Sequence, residues 1–211
     1  MESIRSTFLD TITAVRPVVA SPQVAARWDE PSALPKFSIS GLAGHLVRTA
    51  LSVDTYLDRP APEHENPISA AAYYAIVLDA DISSPVNAGV RQRGEEQAAG
   101  GHERLIAGLD RLSVRLRERL LREPGDRLVR VYGDLVLQLD DYLVTRIVEL
   151  VVHADDLAVS VGIDLPTLPP AALDLAISTL VDVARHRHGD LAVLRALSRR
   201  ERDTLGALRV F

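Results

Sequence analysis

The stretch Arg146-Ile147-Val148-Glu149-Leu150-Val151-Val152-His153-Ala154-Asp155-Asp156-Leu157-Ala158 sets apolar residues at helical spacing and a polar stripe along one side. Ile147, Leu150, Val151 and Leu157 cover the other faces, as in an amphipathic helix. Glu149 and His153 are four apart, so both project from one face, one turn above the other. Arg146 lies three residues before Glu149 and Asp156 three after His153, which extends the stripe. The helix is expected from about Asp140 to Val161, with Gly162 as its terminator.

A Glu at i and a His at i+4 can chelate one divalent ion. His45, in Leu42-Ala43-Gly44-His45-Leu46-Val47, is likewise a histidine inside an apolar helical pattern and would complete a two-histidine, one-carboxylate set. Such a set suits zinc and also nickel, manganese or iron, and three protein ligands leave a position for water or substrate. The same spacing also fits a buried salt-bridge network or the solvated face of an outer helix. The other histidines read as ordinary: His64 in a proline-rich loop, His102 after two glycines, and His186 and His188 at a helix end that favours positive charge.

Working outward, Ile4, Phe8, Ile12, Val15 and Val19 predict a first helix that Pro17 kinks or ends. Ser40 is placed to cap a second helix to about Leu57, with Leu42, Leu46, Val53 and Leu57 inward. A loop with Pro60, Pro62 and Pro67 leads to a short helix over about 69–80. After Pro85 one long helical stretch is expected to about Glu123, clearest along Leu105, Leu109, Leu112, Leu116 and Leu120. Two alternating segments flank Gly133-Asp134 over 127–139, the signature of a hairpin with a type II′ turn. Pro169-Pro170 opens a helix to about His186 along Leu173, Ile177, Leu180 and Ala184, and Ser198…Glu201 has capping-box spacing. The fold class is all-α: four main helices, one small hairpin and a helical C-terminal extension.

Composition limits the chemistry. The 211 residues are 47% hydrophobic and 25% charged, the balance of a globular protein. With no cysteine there is no disulfide, thiolate zinc site, iron–sulfur cluster or cysteine nucleophile, so a metal would need nitrogen and oxygen ligands. A net charge of −5 argues against a nucleic-acid partner, and the basic residues of 111–122 and 195–202 are interleaved with acidic ones. No apolar run reaches the ~18 residues of a membrane span. The first residues lack the basic-then-apolar pattern of a secretory signal, so the expected location is cytoplasmic.

Trp28…Pro31-Ser32-Ala33-Leu34-Pro35, Ser40-Gly41-Leu42-Ala43-Gly44-His45-Leu46 and the stretch from Arg146 to Ala158 together resemble the mycothiol-dependent maleylpyruvate isomerase N-terminal family, within the DinB-like metal-binding four-helix bundles. The likeness covers about residues 5–162. It implies a DinB-like bundle over 1–162 and a helical extension over 163–211 packed on the same domain. It further implies a divalent metal, usually zinc, on His45, Glu149 and His153; Arg146 and Asp156 are expected to orient the ligands, because metal-bound imidazoles usually donate their second N–H to a fixed acceptor. The thiol cosubstrate would be mycothiol, its thiolate adding to an electrophile. The isomerase proper carries a further C-terminal domain, whereas about fifty residues follow Gly162 here, so a general thiol S-transferase or isomerase-like enzyme is the expectation. The competing reading is a non-catalytic metal-binding or regulatory module, which would show a fourth ligand such as Asp156 or His102, or a sealed cavity. A metal-dependent hydrolase is a third. The expected partners are a small-molecule thiol and an electrophile. Homodimerisation is one of the oligomeric states left open.

Overall fold

Serine starts five of the helices in the computed structural model, which describes residues 3–63, 65–78, 81–198, 205–208 and 210. The hydroxyls of Ser3, Ser21, Ser38, Ser69 and Ser84 each accept the backbone N–H three residues on. Each bond satisfies one of the donors that a helix leaves unpaired at its start. The helices they open are α1 (Ile4–Val19), α2 (Pro22–Ala26), α3 (Ile39–Leu57), α4 (Ala70–Val77) and α5 (Pro85–Ala98). After these come α6 (His102–Leu120), β1 (Leu128–Arg130), β2 (Val136–Gln138), α7 (Leu139–Val161), α8 (Pro170–His188) and α9 (Asp190–Ser198).

The long helices α1, α3, α6 and α7 form the bundle: α7 packs on α1 and α3, and α6 on the same two from the other side. Their shared interior is fully buried, with Phe8 and Val15 from α1, Leu42 and Leu46 from α3, Leu116 from α6, and Ile147 and Leu150 from α7. The extension joins this core rather than forming its own, since Leu168, Ala172, Ala176 and Val183 belong to the same apolar cluster. Helix α5 lies against α3 with the two backbones in contact. A Cβ built on Gly44 would overlap the carbonyl oxygen of Gly94, and one on Gly94 would overlap that of Gly41. No helix among the described residues is long and apolar enough to cross a membrane.

The all-α architecture with one small antiparallel hairpin agrees with the sequence expectation, but several local details differ. The cap of α3 is Ser38, and Ser40 already lies in the helix. The stretch expected to run as one helix from Pro85 is two, broken at Gly101, whose φ of 86° suits glycine. That break lets α5 leave the bundle to cover α3 while α6 stays within it. In the hairpin Leu128 pairs with Gln138 and Arg130 with Val136. The connection is a short helical turn with positive φ at both Gly133 and Asp134, so it is not type II′, which needs only the first. Pro17 neither ends nor shortens α1, which continues to Val19. Helix α8 departs from the expected stripe in its first half, where Leu173 and Ile177 face outward and Ala172, Ala176 and Thr179 face in, whereas Leu180 packs on the core and Ala184 is buried as expected. Small residues there let α8 sit close to α7. Ser198 ends α9, while Glu201 of the proposed capping box lies outside the described residues, as does His64.

Candidate metal centre

Helix α7 presents Glu149 and His153 one turn apart, and α3, packed beside it, presents His45. The Glu149 Oε2 atom lies 3.4 Å from His45 Nε2 and 3.2 Å from His153 Nε2. One donor atom from each residue falls within 4.8 Å of the others. Tetrahedral zinc with bonds of ~2.0–2.1 Å separates its ligand atoms by ~3.3 Å, so two of the three edges already have the required length. Two imidazoles and one carboxylate are also the right donors for a borderline-soft divalent ion. On separation and chemistry, the residues fit the ion.

The surroundings hold each of these groups in place. Asp156 Oδ2 lies 2.9 Å from His153 Nδ1 and accepts its N–H, which directs Nε2 at the cluster. The Tyr74 hydroxyl, from α4, is 2.7 Å from the Thr145 carbonyl and 3.0 Å from Glu149 Oε1, so Oε2 is the oxygen turned towards both histidines. Arg146 lies on the same stripe, with its guanidinium over the Tyr142 ring at 5.0 Å and its Nε donating to Thr145 Oγ1. Its influence on Glu149 is through charge. His102 lies apart from the cluster, with Nε2 2.7 Å from the Val19 carbonyl oxygen and its ring edge-on to Trp28. His186 and His188 are exposed at the end of α8.

Electrostatics follow from burial. Desolvation alone would raise the Glu149 pKa, but His153, His45 and Arg146 outweigh it and hold the carboxylate well below the ordinary range. Burial pushes His45 down, towards the neutral form that can donate a lone pair to a metal. Burial also opposes charge on His153, yet its bonds to Asp156 and Glu149 dominate and raise it to about 9 in the metal-free protein. Burial and the neighbouring Glu149 push Tyr74 well above its usual value, so its hydroxyl stays a donor.

The cluster forms one wall of a cavity of about 460 Å³ between α3, α4, α5 and α7. All five tyrosines of the chain, Tyr56, Tyr73, Tyr74, Tyr132 and Tyr142, line it. Phe37, Val77 and Leu78 add apolar wall, and Arg48, Arg93 and Arg146 add charge. Sequence reasoning missed Tyr74 and the tyrosine lining. The adjacent pair Tyr73-Tyr74 in an otherwise alanine-rich segment was the available signal.

Fold and site together define a four-helix bundle with a candidate mononuclear metal centre between two of its helices, open on one side. Residues 8–158 match the mycothiol maleylpyruvate isomerase N-terminal domain family, and the chain belongs to that family. The DinB-like bundle is consistent with that membership. The same comparisons find no matching curated protein and no matching solved structure.

Proposed function

We propose that the protein is a metal-dependent thiol S-transferase or isomerase-like enzyme that brings mycothiol, or a thiol like it, to an electrophilic carbon. His45, Glu149 and His153 would hold one divalent ion, zinc by the family resemblance. In the reaction a carbon–sulfur bond forms as the thiol loses its proton. The displaced group leaves with its electron pair or, in an addition, the neighbouring carbon takes up a proton. The bound ion would supply Lewis acidity, which makes a thiol acidic near neutral pH and offsets the lack of any cysteine in the chain.

The protein's own residues would do the positioning. Asp156 fixes the His153 ring, Tyr74 fixes Glu149, and Phe37, Val77 and Leu78 keep water from part of the cavity. The observation that carries this reading is the convergence of three donors on one side of an open cavity. A binding module would instead be marked by a fourth ligand or a closed pocket. Among the described residues no fourth histidine or carboxylate joins the cluster, and Asp156 bonds to His153 from behind.

The test is to load the purified protein with zinc, offer mycothiol with several electrophiles, and compare with His153→Ala. The wild type should bind about one ion per chain and turn over, and the variant should do neither. Metal binding without turnover above the variant, across electrophiles and metals, would transfer the assignment to the non-catalytic module.

A further inference from the structure

Several arginines of this protein have a carboxylate within reach. Arg5, Arg16, Arg27, Arg115, Arg119 and Arg185 are each ion-paired. Arg48, Arg93 and Arg146 differ: they line the cavity from α3, α5 and α7, and among the described residues none has a carboxylate within ion-pair distance. Glu149 is the one carboxylate among the described residues lining that space, and its oxygens are engaged by His45, His153 and Tyr74.

Arg93 and Arg146 add positive charge beside Arg48, while Glu149 offsets the charge of Arg146. Burial and the charges of Arg93 and Arg146 lower the Arg48 pKa, so the guanidiniums share one field. Confining like charges in a partly desolvated space is unfavourable unless an anion enters. Guanidinium forks are suited to carboxylate and phosphate oxygens, which they bind with paired N–H bonds. The tyrosine faces beside them supply contact for the rest of a small molecule.

We propose that Arg48, Arg93 and Arg146 form an oxyanion-binding subsite next to the histidine–glutamate cluster, which takes the carboxylate or phosphate group of a small-molecule ligand. The inference deepens the proposed function, because it says what the second reactant carries, but the subsite itself does not depend on metal. The uncharged hydroxyls and amides of other ligands would not compensate three cations. Selectivity for a charged group is therefore built into the cavity beside the cluster.

The experiment is calorimetric titration of the full chain, metal-free and zinc-loaded, with succinate, inorganic phosphate and the neutral analogue succinamide. Succinate or phosphate should bind at least tenfold more tightly than succinamide in both forms, and added salt should weaken the binding. Arg48→Gln and Arg93→Gln should each weaken anion binding by about tenfold or more while leaving zinc stoichiometry at the wild-type value. Arg48→Lys should recover part of the loss, because charge returns without the fork. Binding of succinate alone assigns carboxylates, and binding of phosphate alone assigns phosphate esters. Equal affinity for succinamide, or variants that bind the anions as the wild type does, would overturn the subsite. Anion binding in a protein that takes up no metal would overturn the proposed function and keep the subsite.

Discussion

Asp156 illustrates how one side chain can control a site without being part of it. Its carboxylate accepts from His153 Nδ1 at 2.9 Å, and this bond selects the ring nitrogen that faces Glu149 and His45. Asp156→Asn keeps the shape but removes the charge, so zinc affinity should fall about 10–100-fold with helicity unchanged. Competition with a chromogenic chelator, alongside circular dichroism, checks this. The pairing of Glu149 with His153 was legible in the sequence because a spacing of four on a helix fixes direction. The role of Tyr74 was not legible. It depends on α4 lying across α7, and no local spacing encodes that contact.

Between elements, α3 carries two kinds of contact that oppose disturbance. Gly44 lets the α5 backbone touch it, so Gly44→Ala gains a little helix propensity but drives a methyl into the Gly94 carbonyl. Overlap with backbone outweighs propensity, and the variant should lose about 1–3 kcal/mol in urea denaturation. On the other side Asp54 is held by Arg115 and Arg119 of α6. Burial alone would raise its pKa, but the two guanidiniums win and lower it below the usual 3.8. A depressed carboxylate contributes stability above its unfolded pKa and loses it as pH falls through the folded value. Asp54→Asn should therefore destabilise the protein at pH 7 by about 1–2 kcal/mol, screening by solvent holding the loss to that range. The gap from wild type should narrow steadily below pH 3.8 and close once the pH passes the lowered pKa, as seen in denaturation at a series of pH values. The break at Gly101 belongs to this scale as well. Glycines at 100 and 101 marked a weak point in the pattern, but only the need for α5 to cover α3 makes it a corner.

At the scale of the whole molecule, the C-terminal helices share the bundle's core, and Arg187 ties them to α4 through the Leu78 carbonyl. The protein should therefore unfold in one cooperative step, α8 and α9 included, with Trp28 fluorescence and far-ultraviolet circular dichroism giving coincident midpoints. Separate transitions would mean that the extension is its own unit. The sequence by itself determined the helical class, the hairpin, the ends of α7 and the i,i+4 pair on it. These depend on periodicity, turn chemistry and neighbours within a few residues, which are written along the chain. Only the tertiary structure decided that His45 meets that pair, that α8 buries Ala172 and Ala176 and exposes Leu173 and Ile177, and that five tyrosines and three arginines line one space. Those relations join residues more than a hundred positions apart. They are set by how closely helix surfaces can pack, which no local stretch of sequence records.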